Sequence, residues 1–235
     1  MAGASHGAGI ICVPMASAVG RYDDFYTSLE RLVIPDEVAG AANAKGIVKN
    51  PSPSVAGTLN YGCQAVMNDP QREWLWILGD DHTFDPGLLV RLLNRQVDVV
   101  VPLVAARLAP YQTVIFTDQM GGRVAWRDVP TSGLLALADS HLVGTSGMLV
   151  RRHVLGKLDP PWFRIGQYEP DAVKEDFYFT ASLHRAGVPI HVDCDERMGH
   201  LQPFIIQPQR QGGRWRPAII ETGDRHPVLK ATVFP

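Results

Sequence analysis

The segment Glu73–Arg95, EWLWILGDDHTFDPGLLVRLLNR, decides the fold. Trp74-Leu75-Trp76-Ile77-Leu78 is a continuous apolar run, too short to span a bilayer and long enough for a buried strand. Gly79 ends the run, and Asp80, Asp81 and His82 follow it. Asp85-Pro86-Gly87 opens a new element in which Leu88, Leu89, Leu92 and Leu93 recur at helical spacing. The acids therefore fall at the carboxyl end of a strand, just ahead of a crossover helix. Open α/β sheets bind their ligands at that edge. Two adjacent carboxylates repel each other, and a hard cation such as Mg²⁺ or Mn²⁺ relieves the repulsion. A helix cap at Asp85, with Asp80 and Asp81 solvated, accounts for the same residues without a metal.

Toward the N-terminus, Gly9–Met15 (GIICVPM) reads as a strand buried on both faces. Asp23 and Asp24 precede Phe25, Leu29, Leu32 and Val33, an amphipathic helix with acids in its first turn and Ile34-Pro35 at its end. Ala44–Lys49 suggests a second strand. Asn50-Pro51-Ser52-Pro53 is punctuation, and Ser54 caps a helix through Leu59, Cys63, Val66 and Met67. Val97–Leu103 follows the central helix as another apolar strand. Such alternation of strand and helix implies parallel strands with right-handed crossovers.

The later pattern differs. Gln112–Phe116, Arg123–Trp126 and Gly133–Ala138 read as short strands, so the sheet is expected to be mixed. In His141–Val150, Gly144 and Gly147 interrupt a strand-like run; they mark either a bulge or a close approach of backbone to a ligand. Pro160-Pro161-Trp162-Phe163 is a stiff turn with two aromatics. Ala172–Arg185 reads as a helix ended by Gly187, and Val188–Asp193 as a strand followed by Asp195–His200 (DERMGH). The stretch from Gln202 onward, rich in Gln, Pro, Gly and Arg, reads as a lid over the site or a tail at its edge.

Composition narrows the classes. The 235 residues fit one large domain, and 46% hydrophobic with 20% charged residues is ordinary globular composition. A net charge of −2 argues against a nucleic-acid backbone binder. No apolar run predicts a transmembrane helix, and the N-terminal residues predict no secretory leader. Cys12, Cys63 and Cys194 lack metal-ligand spacing and read as buried free thiols of a reducing cytosol.

Taken in order, the features are a strand ending in acids, then GTSGMLVRR, then Glu175-Asp176 at a helix start, then GVPIHVD and Gly199-His200. This order resembles the nucleotide-sugar glycosyltransferases of the GT-A fold, close to the inverting family 2-like group, over about residues 9 to 203. The resemblance implies a Rossmann-like three-layer α/β sandwich with a mixed, mostly parallel central sheet. A domain over 1–203 and a tail or lid over 204–235 follow from its extent. The family's D-x-D motif falls on Gly79-Asp80-Asp81, so the resemblance makes Asp81 and His200 the ligands of Mn²⁺ or Mg²⁺. Gly79 replaces the first acid, which leaves the role of Asp80 open. Asp176, beside Glu175, matches the catalytic base of inverting members; a helix-dipole partner is the alternative reading of the pair. Pro14, Met15 and Asn60 lie where the family holds the nucleotide. Arg107 would reach a phosphate or sugar hydroxyl, and Gly144 to Gly147 would run beside the sugar. Trp162 and Phe163 would line the acceptor side, with core packing as the alternative.

The implied activity is transfer of a sugar, with inversion, from a nucleotide sugar (UDP-sugar ahead of GDP-sugar) to a hydroxyl of a glycan, lipid, protein or small molecule. The implied location is the cytoplasm or a membrane surface facing it. A retaining transferase on the same fold and a decayed sugar-nucleotide or glycan binding module are the competing readings. Nucleotidyl transfer ranks lower, because Pro14-Met15-Ala16-Ser17 stands where a Gly-rich basic phosphate loop belongs.

Overall fold

A computed structural model of the chain describes residues 6–14, 23–35, 47–49, 52, 54–107, 109–118, 122–165, 174–201, 205–220 and 231–233. Met15, Gln202 and the first residues of the segments expected at Ala44 and Ala172 lie outside these. The elements are β1 (Ala8–Val13), α1 (Asp23–Glu30), β2 (Ile47–Lys49), α2 (Val55–Asn68), β3 (Arg72–Ile77), β4 (His82–Thr83), α3 (Leu88–Asn94) and β5 (Val99–Leu103). They continue with β6 (Ile115–Phe116), β7 (Leu134–Ala136), β8 (Leu142–Val143), β9 (Leu149–Arg151), α4 (Arg152–Leu155) and α5 (Glu175–Arg185). The last are β10 (His191–Arg197), β11 (Gly199–Leu201), β12 (Ile205–Gln211), β13 (Arg214–Ile220) and β14 (Ala231–Val233).

The main sheet has seven strands in the order β2-β1-β3-β9-β5-β10-β7. β1 is parallel to β2 and β3, and β5 to β10, whereas β9 is antiparallel to β3 and β5, and β7 to β10. The sheet is therefore mixed and mostly parallel, as the change of sequence pattern implied. Alternation along β3 assigns its two faces. Leu75 and Ile77 join Leu59, Cys63 and Val66 of α2, Val154 and Leu155 of α4, and Phe179 and Leu183 of α5. Trp74, Trp76 and Leu78 join Phe25 of α1 and the four leucines of α3. Helices thus cover both faces and make three layers. Trp76 buries its polar edge too: its indole N–H donates to the Gly147 carbonyl at 2.9 Å.

Three expected strands differ. Arg123–Trp126 holds only an isolated bridge from Arg123 to Phe116, because the chain curls into a 3₁₀ turn at Trp126–Asp128. The N–H groups of Asp128 and Val129 bond back to Ala125 and Trp126 and close that turn. The run His141–Val150 divides into β8 and β9. Gly147 sits at φ +81, and the Met148 N–H bonds the Thr145 carbonyl, so the chain leaves β8 and re-enters the main sheet as β9. The last strand of the main sheet starts at His191, later than expected, and runs to Arg197. Cys12, Cys63 and Cys194 are buried and unpaired, and burial pushes the Cys12 thiol up to about 12. Among the described residues no helix is long and apolar enough to cross a membrane.

A second sheet runs β14-β13-β12-β11-β4. Trp215 of β13 is buried, and its indole N–H donates to the Pro130 carbonyl at 2.8 Å. Ion pairs fasten α3 to the end of β10. Arg95 grips the fully buried Asp193 through two bonds of 2.7 and 2.8 Å and reaches Asp195 at 2.7 Å. Arg91 holds Glu196 in the same forked manner and also meets Asp85. A buried carboxylate that loses its partner keeps its desolvation cost. Arg95→Ala is therefore expected to lower stability by about 3–5 kcal/mol, seen as a lower urea midpoint at unchanged slope. Arg95→Lys should fall between, having a charge but no planar fork.

Candidate functional site

A cavity of about 460 Å³ opens at the carboxyl ends of β1, β3 and β5, a volume typical of small-ligand sites. Pro14, beyond β1, and Val55 and Leu59 of α2 form an apolar part of its lining. Asp80, Asp81, Arg107, Gly144, Glu175, Asp176 and His200 line it as well, so most of the residues singled out in the sequence meet there. Asn60, Gly147, Trp162 and Phe163 do not reach it. The Asn60 amide is committed to the backbone of Phe163, accepting from its N–H at 3.0 Å and donating to its carbonyl at 2.8 Å. Trp162 and Phe163 are buried; Phe163 stacks on Phe179 at 4.4 Å, and the Trp162 indole donates to the Leu155 carbonyl. They occupy the core, the alternative that the sequence left open for them. A Cβ on Gly147 would meet Met198 Sδ at 2.5 Å, so that glycine serves a tight packing contact.

The polar centre forms where β4 pairs with β11, in a register that sets His82 opposite His200. The two imidazoles stack with centroids 4.3 Å apart. Asp81 lies against both: His82 Nδ1 is 2.7 Å from Oδ1, and His200 Nε2 is 3.2 Å from Oδ2. Burial opposes the Asp81 charge, but its contacts with His200 and His82 outweigh it and hold the carboxyl well below the usual carboxylate range. Arg107 adds a contact to Oδ2 at 3.2 Å. Burial keeps His82 below the ordinary histidine value despite its Asp81 bond.

The tautomers follow from the partners. His200 Nδ1 is 2.9 Å from the Ala105 carbonyl, which only accepts, so Nδ1 carries the hydrogen. In the neutral ring, Nε2 is then a bare lone pair facing a carboxylate oxygen. Two acceptors meet there unless the ring is protonated or a cation lies against both. A histidine whose far nitrogen is pinned to a carbonyl, beside a carboxylate, offers a donor set that could hold a metal ion. Asp81, His82 and His200 offer ligand atoms within 4.8 Å of one another. His82 suits a supporting role better, because its Nδ1–H is spent on Asp81 and its Nε2 is buried without a partner. Ser146 Oγ is also 3.1 Å from His82 Nδ1. Serine and aspartate thus meet the same ring nitrogen, and the ring cannot relay a proton between them as a nucleophilic triad requires. The same hydroxyl accepts the Gly79 N–H at 3.0 Å, and a Cβ at Gly79 would lie 2.7 Å from it. Ser146 therefore fills the space that a side chain at Gly79 would need.

Asp176 enters from the first turn of α5. Its Oδ1 accepts the Phe177 N–H at 2.9 Å, and a Cβ on Gly144 would lie 3.9 Å from its Oδ2. Burial, then the Glu175 charge, raises its carboxyl to about 6. Lys174 and Arg123 also line the cavity. Sequence reading gave no role to His82, Ser146 or Arg123. His82 stands beside Asp81, but its importance depends on a strand pairing with no local signal.

No family model and no curated protein sequence matches the chain. Among solved structures, "Crystal Structure of A197 from STIV" matches with a TM-score of 0.58 and 16% identity, covering 94% of this chain and 98% of that one. The S. aureus TarS 1-349 structure matches with a TM-score of 0.44 and 12% identity, over 80% of this chain and 58% of that one. A putative glucose-1-phosphate thymidylyltransferase from Bacillus anthracis, in complex with a sucrose, gives 0.41 and 14%, over 82% and 89%. At these identities the likeness is one of fold, and the first match carries it. The chain has the Rossmann-like GT-A fold, with its acid-bearing strand end open to the cavity.

The raised Asp176 carboxyl has a stability consequence of definite sign. A group that holds its proton more tightly folded than unfolded costs stability as pH rises from its unfolded value, near 3.8, to its folded value of about 6. Relative to Asp176→Asn, the unaltered protein should lose roughly 2–3 kcal/mol between pH 4 and pH 7. Urea unfolding of both proteins at each pH measures the difference; parallel profiles would contradict the shift.

Proposed function

We propose that the protein is a metal-dependent glycosyltransferase that moves a sugar from a nucleotide sugar to an acceptor hydroxyl with inversion. The carrying observation is one cavity that holds both the Asp81–His200 pair and a separate, protonatable carboxylate, Asp176. Asp81 and His200 would hold Mn²⁺ or Mg²⁺, which when bound supplies Lewis-acid charge to a departing diphosphate. His82 orients Asp81 through its Nδ1–H. Arg107, half exposed and only loosely tied to Asp81, is placed to turn toward the phosphates. Pro14, Val55 and Leu59 offer apolar surface to the nucleobase, with UDP favoured over GDP. Asp80 lines the same end of the cavity.

Asp176 acts on the acceptor. It takes the hydroxyl proton as the acceptor oxygen bonds to the sugar's anomeric carbon. The bond from that carbon to the diphosphate oxygen breaks, and its electron pair leaves with the nucleotide. A carboxyl near 6 is mostly ionised at neutral pH, yet more basic than an ordinary aspartate, which suits a general base. The cytoplasm, or a membrane surface facing it, is the location we assign.

Calorimetric titration of UDP, then GDP, with and without Mn²⁺ tests the reading. UDP binding is expected to depend on Mn²⁺ and to disappear in Asp81→Ala. Asp176→Asn should keep that binding while turnover of a UDP-sugar falls about 10²–10⁴-fold. Metal-independent binding would sink the metal assignment. Intact Mn²⁺-dependent binding with no turnover of any donor would favour the binding-module reading, which the missing acid at Gly79 supports.

A further inference from the structure

Arg123 is a cavity cation that the proposed transfer does not use. Its guanidinium carbon lies 4.0 Å from the centroid of the Phe116 ring, and its Nη1–H donates to the Thr113 carbonyl at 2.6 Å. Phe116 meets Phe177 edge-on at 4.5 Å, and Phe177 directly follows Asp176. Two ring contacts therefore tie the position of Arg123 to that of Asp176.

No carboxylate among the described residues lies within ion-pair distance of Arg123. Arg91, Arg95, Arg107 and Arg210 each hold one. A guanidinium stays charged even when partly desolvated, and Arg123 has only Asp176, acting from beyond ion-pair distance, to offset that charge. The ring contact offsets only part of its desolvation cost. One N–H is spent on Thr113; the rest of the planar fork suits a two-oxygen anion. Lys174, at the start of α5, lines the same cavity, and its charge also acts on Asp176.

The cavity's cations fall into two groups. Arg107 accompanies Asp81 and the histidines, where a donor diphosphate would sit. Arg123 accompanies Phe116 and the first turn of α5, where an acceptor hydroxyl would meet Asp176. We propose that Arg123, supported by Lys174, forms an acceptor subsite for an anionic group, a carboxylate or a phosphate, on the molecule that receives the sugar. This inference rests on the glycosyltransferase reading and names its acceptor class.

Three probes test it on the full chain: methyl β-D-glucoside, methyl β-D-glucuronide and glucose 6-phosphate. Each is titrated calorimetrically into the protein, first alone and then with UDP and Mn²⁺ present. At least one anionic probe should bind tenfold or more tightly than the neutral one, and which of them does so identifies carboxylate or phosphate. In Arg123→Gln the preference should collapse to near unity, with UDP–Mn²⁺ affinity unchanged. Arg123→Lys, which keeps the charge without the fork, should retain part of it. Equal or absent binding of all three probes would overturn the proposal, as would a preference that survives Arg123→Gln. A tenfold loss of UDP affinity in that variant would overturn it too, by moving Arg123 to the donor side. If UDP fails to bind the unaltered protein, the transferase reading falls, while the nucleotide-free titrations still decide whether Arg123 selects anions.

Discussion

The short antiparallel pairing of β4 with β11 is the constraint on which the site depends. Only Thr83↔Gly199 and His82↔His200 take part, reinforced by the Leu201 N–H donating to the Asp81 carbonyl at 2.7 Å. These bonds join residues more than a hundred positions apart and set Asp81 between two imidazoles. They also connect the two sheets, because β10 belongs to the main sheet and β11, one residue later, to the second. Between them the Met198 N–H bonds the Leu103 carbonyl, so the crossover is tied to the strand that carries Arg107 just past its end. The backbone thus supplies the precision that a pair of flexible side chains would lack.

Around this pairing the polar groups divide the work with little duplication. Ala105 fixes the His200 tautomer, His82 steers Asp81, and Ser146 takes the Gly79 N–H. Arg91 and Arg95 hold the acids of β10 on the far side of the same strand ends, clear of the cavity. That separation matters for charge. The carboxylates of the network are neutralised by fixed arginines, whereas at Asp176 burial and the like-charged Glu175 outweigh the Phe177 N–H and the Lys174 charge, and its proton affinity rises.

What the sequence revealed follows the range of the interactions involved. Ser54 as the cap of α2 was legible because the bond is local: its Oγ accepts the Gly57 N–H three residues on. The apolar run through Trp74 and Leu78 was legible because a strand covered on both faces needs no alternation. Asp81, Asp176 and His200 could be singled out by the order of their motifs, and they do line one cavity. His82 and Arg123 could not, since one depends on the β4–β11 register and the other on a ring contact with Phe116. Trp162 and Phe163 show the limit from the other side. Aromatic residues after a proline pair suit a sugar-stacking wall or a core equally well, and only the distant amide of Asn60, gripping the Phe163 backbone, draws them inward.

The tail after Leu201 gives the second sheet a mechanical meaning. His200 pairs with His82 on one side and with Ile206 of β12 on the other, so β11 is an interior strand. β12 is clasped along its whole length by β13, and β13 is pinned to the body of the protein by buried Trp215. The imidazole beside Asp81 is thus clamped at both flanks, and one jaw of the clamp comes from residues far from the cavity. The strand that carries His200 is continuous, through β12, with a hairpin whose far end is anchored by Trp215.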